Sequence, residues 1–120
     1  MYCYNESINL LISRFPKLKL IYDNNVDDYM DLPYVFYESV FVKYIMDKVN
    51  SRDSGELISI FNFIEDLLLN GDEKMINLVE VSIIESLYYE ENFNDFSNYL
   101  FAFCNQLTRE SFDDCINNVM

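Results

Sequence analysis

The 120-residue chain contains no histidine and no tryptophan, and it has only two glycines and two prolines. Without histidine, a Ser–His or Cys–His nucleophilic pair cannot form, and zinc lacks one of its usual ligands. Gly55 and Gly71 stand alone, so the chain has no glycine-rich loop to cradle a phosphate. We therefore expect no enzyme, no cofactor and no metal. A hydrolase that uses only carboxylates is the remaining catalytic alternative.

Positive charge is also scarce, because 8 Lys and Arg stand against 21 Asp and Glu, for a net charge of −13. Such a surface repels nucleic acid and anionic membranes and attracts basic partners. A solvated acidic surface without a partner is the simpler alternative. Three cysteines without metal-ligand spacing, in a chain with no export signal, are typical of reduced cytoplasmic thiols. Since no run approaches the roughly 20 apolar residues of a membrane span, we expect a cytoplasmic protein.

Residues 53–91 predict a helical hairpin around which the rest of the chain packs. Apolar side chains recur at helical spacing on both sides of Asn70-Gly71. Asp53 predicts the first N-cap, with Glu56 as its reciprocal partner, and Gly71 predicts a left-handed residue that closes the helix. Asp72 predicts the second N-cap. The apolar side chains of the segment 72–90, among them Val81 and Leu87, point in nearly every direction around the helix axis. This distribution is typical of a central helix.

The flanking segments predict further helices at 5–15, 33–50, 93–105 and 109–118. Residues 17–22 predict a helical turn or an extended linker. Thr108 predicts the last N-cap, and the apolar face of that helix comprises Phe112, Cys115, Ile116 and Val119. Together these patterns predict one all-α domain, residues 1–120. It would be a bundle of about six helices built on a central antiparallel hairpin, with HEAT-like stacking of hairpins as an alternative.

Two long intervals without Lys or Arg mark the expected binding surface. One runs between Lys19 and Lys43, and the other between Lys74 and Arg109. Tyrosines interleaved with carboxylates suit a protein interface, because the ring supplies contact area and the hydroxyl a hydrogen bond. The predicted partner-binding residues are Asp23, Asp27, Asp28, Tyr29, Asp31, Glu90, Glu91 and Asp95. The stretch 23–32 is expected to be a solvated acidic loop and not a calcium site, because it lacks the central glycine and terminal glutamate of an EF-hand.

Two glutamates fall within apolar helical faces. Glu65 lies between Ile58 and Phe61 on a helical wheel, and Glu85 lies between Val81 and Leu78. A carboxylate in apolar surroundings must be hydrogen-bonded or paired, or its pKa rises. We favour a structural carboxylate, bound to a tyrosine hydroxyl or a helix N-terminus, over an acid–base couple, because the sequence shows no accompanying oxyanion donor or metal.

The stretch ELISIFNFIEDLLLNGDEKMINLVEVSIIESL resembles small, acidic, all-helical bacterial immunity-type proteins encoded beside polymorphic or contact-dependent toxins. The resemblance covers about residues 55–90 and rests on the apolar spacing around Asn70-Gly71 and on Glu85. It implies a cytoplasmic protein that binds and neutralises one cognate basic toxin domain, such as a nuclease. It assigns no binding residue. The alternative is an acidic helical adaptor or regulatory module without a toxin partner.

Overall fold

A computed structural model describes residues 1–118, which form eight helices and no strand. The all-α prediction is therefore confirmed. Single 3₁₀ turns at Tyr4–Glu6 and Pro16–Leu18 precede the first and second helices. The helices are α1 (Ser7–Arg14), α2 (Lys19–Asn24), α3 (Val26–Tyr29), α4 (residues 33–50), α5 (Ser54–Asn70), α6 (residues 73–88), α7 (Phe93–Phe101) and α8 (Gln106–Asn118).

The prediction of a loop at residues 23–32 is wrong, because α2 and α3 occupy most of this stretch. The helical-turn alternative for 17–22 is correct. These two short helices account for the difference between about six and eight. They are separated only at Asn25, whose backbone leaves the helical region (φ −135°, ψ 36°).

Both predicted caps of the hairpin are present. Asp53 accepts a hydrogen bond from the N–H of Glu56 at 3.2 Å, and Asp72 accepts one from the N–H of Met75 at 2.8 Å. Each aspartate satisfies a backbone donor that has no partner inside its helix. The reciprocal bond from the Asp53 N–H to the Glu56 side chain is not formed, because that N–H donates to the Lys48 carbonyl at 3.0 Å. The Glu56 carboxylate instead accepts the hydroxyl proton of Tyr44.

Gly71 does not adopt the predicted left-handed conformation. Its backbone is extended (φ −81°, ψ 157°). The requirement is close packing: a Cβ here would lie 2.5 Å from the Leu67 carbonyl oxygen and 2.7 Å from Met75 Cγ. The N-terminal segment also pairs with this connection. Tyr2 donates its N–H to the Asn70 carbonyl at 2.7 Å and accepts from the N–H of Asp72 at 2.9 Å.

The core lies between α4, α5 and α6, with α8 packed across both helices of the hairpin. Its large, fully buried side chains include Phe36, Tyr37, Phe41, Phe61, Phe63 and Phe112. The wheel predictions fail at three apolar positions, because Val81 is 41% exposed, Ile58 52% and Ile116 37%. The predicted inward position of Val119 lies outside the described residues.

The last helix is capped from another helix. It begins at Gln106, so Thr108 is not its N-cap as predicted. Instead, the Glu65 carboxylate on α5 accepts the N–H of Leu107 at 3.0 Å and both the N–H and the hydroxyl of Thr108 at 2.9 Å. Glu65 is therefore a structural carboxylate bound to a helix N-terminus, one of the two structural partners that the sequence predicts.

Gly71→Ala should destabilise the fold by about 1–3 kcal/mol, because the added methyl group would force the connection apart. Gly55→Ala is the matched control. At Gly55 the nearest neighbour of an added Cβ is Asp53 Oδ1 at 3.9 Å. Alanine should therefore fit and stabilise α5 by about 0.5–1 kcal/mol. Urea unfolding of both variants measures the contrast, and equal effects would refute the packing argument.

Glu65→Ala should destabilise by about 3 kcal/mol, since it leaves partly buried donors of α8 without an acceptor. Glu65→Gln retains one acceptor oxygen and should cost less. Exposed Glu91→Ala should change the unfolding free energy by no more than about 0.5 kcal/mol. Hydrogen exchange should show early opening of α8 in Glu65→Ala. If α8 amides keep their protection in that variant, Glu65 does not hold this helix.

Candidate protein-binding site

The first group of predicted binding residues lies on α2, α3 and the turn that follows. Asp23 forms an exposed ion pair with Lys19, with Nζ and Oδ2 separated by 2.6 Å. Asp27 and Asp28 are exposed in α3, and Asp31 is exposed with a left-handed backbone (φ 62°). Within residues 1–118, the side chains of these last three form no ion pair or hydrogen bond, so their charge is directed to solvent.

Tyr29 is less available than its three acidic neighbours. Its ring is half-buried and packs edge-on against Phe36, with the ring centroids 5.1 Å apart. Five large apolar side chains outside the predicted set are exposed in the same part of the chain, residues 20–35. They are Leu20 (67% exposed), Ile21 (41%), Met30 (54%), Leu32 (47%) and Val35 (40%). We call residues 20–35 the acidic–apolar segment.

The sequence contains a signal for one of these exposed side chains. Leu18 and Tyr22 pack toward the core and lie four positions apart, so they share one helical face. Leu20, midway between them, falls on the opposite face and is exposed.

The second group of predicted residues separates in the structure. Glu90 lines a surface groove, whereas Glu91 and Asp95 are exposed outside it. The groove consists of two adjoining cavities of about 440 and 380 Å³ that share Val81, Glu85 and Tyr89. Carboxylates line both cavities: Glu38, Glu85 and Glu90 the first, and Glu80, Glu85 and Asp114 the second. We call this pair of cavities the Tyr89 groove.

Two π-helical segments build the groove. Tyr37–Phe41 interrupts α4 and Val79–Glu85 interrupts α6, and the two segments pack against each other. A π-helical turn contains an extra residue, which rotates the following side chains relative to an ideal α-helix. Glu38 comes from the first segment, and Val81 and Glu85 from the second. Tyr89 lies one turn after Glu85 and is 65% exposed.

The negative charge of the groove is not balanced by nearby basic side chains. No Lys or Arg of residues 1–118 lines either cavity. Six of the eight basic side chains form ion pairs or lie over aromatic rings elsewhere: Arg14, Lys19, Lys48, Arg52, Lys74 and Arg109. The pKa of Glu80 is raised, first by burial and then by the negative charges of Asp114 and Glu85. The negative charge of Glu80 is therefore less favourable in the folded protein than in the unfolded chain.

The other candidate groups are the two glutamates on apolar helical faces, the cysteine thiols, a metal site and a membrane-spanning helix. Glu65 and Glu85 lie in different environments: Glu65 binds the N-terminus of α8, and Glu85 lines the Tyr89 groove. The prediction of a structural partner is therefore wrong for Glu85, whose carboxylate accepts no hydrogen bond from a tyrosine or a helix N-terminus of residues 1–118. Burial raises the pKa of Cys104 to about 12, which suppresses its reactive thiolate. Among the described residues, no three acidic or thiol side chains are grouped to hold a metal ion. Over the same residues, no helix has the length and apolar character to cross a bilayer.

Glu80→Gln should raise the stability of the fold near neutral pH. A raised folded-state pKa means that the folded protein holds its proton better than the unfolded chain does. The resulting stability is present below the ordinary glutamate pKa of 4.5 and is lost as pH rises through the folded pKa of Glu80. The advantage of the variant should therefore grow from about pH 4 to pH 7. Urea unfolding across this range tests it, with Glu91→Gln as the control. An advantage that is constant with pH would contradict the argument.

Comparison with known proteins places the chain in a family without assigning it a role. No curated protein and no solved structure matches it. Residues 8–118 match the family model described as Domain of unknown function (DUF7674). Because the match covers all eight helices, from within α1 to the end of α8, the chain belongs to the DUF7674 family.

Proposed function

We propose that this protein is an immunity-type inhibitor that binds and neutralises a cognate, basic bacterial toxin domain. The observation that carries the proposal is the acidic–apolar segment. Unpaired carboxylates at Asp27, Asp28 and Asp31 stand among exposed side chains such as Met30 and Leu32. A surface that serves only solubility has no use for exposed large apolar side chains, whereas a protein interface needs both kinds.

The two kinds of side chain have different roles in binding. Carboxylates attract a basic partner over a distance and so raise the association rate. Apolar side chains lose water only in the complex and so slow its dissociation. Because the segment supplies both, it suits fast capture followed by tight retention, which is what neutralising a toxin requires.

The toxin partner is supported by the resemblance of residues 55–90 to immunity-type proteins and by the net charge of −13. A nuclease toxin needs a basic surface to hold its substrate phosphates. An acidic inhibitor placed on that surface would exclude nucleic acid by both charge and volume. In this proposal the protein itself binds no nucleic acid and no membrane, acts in the cytoplasm and is not an enzyme.

The test uses the protein encoded by the neighbouring gene. This neighbouring protein is expressed in bacteria alone and together with the 120-residue protein. We expect that protein to be toxic alone and harmless with the chain. A neighbour that binds but is never toxic would instead support an acidic adaptor. A neighbour that neither binds nor harms the cell would contradict both roles for that pair.

Kinetic measurement of the complex then locates the interface. The triple variant with Asn at 27, 28 and 31 should slow association about tenfold at low salt and flatten its salt dependence. Met30→Ser with Leu32→Ser should speed dissociation at least about fivefold. The matched control replaces Ile58 and Leu69, which are 52% and 68% exposed on α5, with serine. Equal effects in test and control variants would place the interface elsewhere.

A further inference from the structure

We propose that the Tyr89 groove binds arginine side chains carried on a segment of the partner protein. The inference rests on the proposed function in that the partner is a basic protein. It adds a second contact surface, the identity of the recognised side chain and the groups that would hold it.

The walls of the groove match the two parts of an arginine side chain. Val81 and Tyr89, which are 41% and 65% exposed, offer apolar surface to an aliphatic stem. Carboxylates surround that surface on both sides, with Glu38 and Glu90 in one cavity and Asp114 in the other. A guanidinium can therefore pair with a carboxylate while its stem stays on the apolar wall.

The ring of Tyr89 favours arginine over lysine. A planar guanidinium stacks on an aromatic face and donates two parallel hydrogen bonds to a carboxylate, whereas an ammonium acts as a point charge. The protein places both kinds of cation over aromatic rings internally, and its two shortest contacts of this kind are made by guanidinium groups. The Arg52 guanidinium carbon lies 4.1 Å from the ring centroid of Tyr99, and that of Arg109 lies 3.8 Å from the centroid of Phe101.

The Tyr89 ring carries no cation. Tyr88 packs edge-on against it at 5.2 Å between centroids, and Tyr88 in turn contacts Phe93 at the same distance. No basic side chain of residues 1–118 lies over Tyr89. Because the Tyr89 side chain is 65% exposed, its free face can receive an external guanidinium.

The two cavities share one wall, at Val81, Glu85 and Tyr89. This arrangement suits two arginines from nearby positions of one segment, one on each side of the wall, with Glu85 available to both. The groove adjoins one end of the acidic–apolar segment, because Val35 of the segment and Glu38 of the groove lie three positions apart on α4. One basic partner can therefore contact both surfaces.

The test uses short acetylated peptides with two arginines, or two lysines, separated by three alanines. NMR titration of the intact chain should show the largest shifts at the Val81 methyl groups and the Tyr89 ring, with tighter binding of the arginine peptide. Tyr89→Leu, at an exposed position that tolerates the change, should weaken the arginine peptide about two- to fivefold and remove its advantage. Glu85→Gln should weaken both peptides, whereas Glu6→Gln, with the same charge change at an exposed position outside the groove, should leave both unchanged.

Two results would overturn the inference. One is equal binding of the two peptides to the unmodified protein. The other is shifts spread over exposed carboxylates, with no maximum at the groove. Neither result depends on a toxin, so failure here is distinct from failure of the proposed function. Peptide binding at the groove with no toxic neighbour would remove the toxin and keep the arginine site.

Discussion

The close contact at Gly71 is the constraint on which the rest of the structure depends. The closing turn of α5 and the first turn of α6 approach so tightly that no side chain fits between the Leu67 carbonyl and Met75. Asp72 uses one carboxylate oxygen to cap α6 and the other to accept the N–H of Tyr4 at 3.2 Å. The connection thus sets the path of the hairpin and attaches the N-terminal segment to it.

The carboxylates divide into those with a structural partner and those without one. Glu65 binds the N-terminus of α8, and Asp66 accepts hydrogen bonds from Tyr2, Arg14 and Asn70. Burial acts to raise the pKa of Asp66, but these hydrogen bonds outweigh it and hold the pKa below its usual value. The carboxylates of the acidic–apolar segment and the Tyr89 groove have mainly solvent and one another. Apart from Asp23, which pairs with Lys19, they form no ion pair with a basic side chain of residues 1–118, which is why we relate their charge to binding.

The parts of the fold that depend on a few adjacent residues were predictable. Asp53 and Asp72 are N-caps because a cap needs only the backbone three positions on. The need for glycine at Gly71 was recognised for the wrong reason, since it arises from Met75 and Leu67 and not from the local backbone. The Glu65 carboxylate could be predicted to need a partner, but its partner lies 42 positions away and follows from packing.

The candidate site was predictable only in part. Exposed acidic positions such as Asp27 and Asp28 follow from their polarity. The Tyr89 groove does not, because π-helical turns shift the register that a helical wheel assumes. Val81 falls within such a segment and faces solvent where ideal spacing places it inside. The exposure of Val81 therefore required the three-dimensional structure.

Hydrogen–deuterium exchange of the chain, alone and with the protein encoded beside its gene, tests most directly whether one acidic face binds the partner. The account predicts new protection in residues 20–35 and 79–90. It predicts unchanged exchange at the first residues of α5, Ser54 to Ser59, which contribute to neither surface. Protection confined to those residues, with residues 20–35 and 79–90 unchanged, would contradict the account.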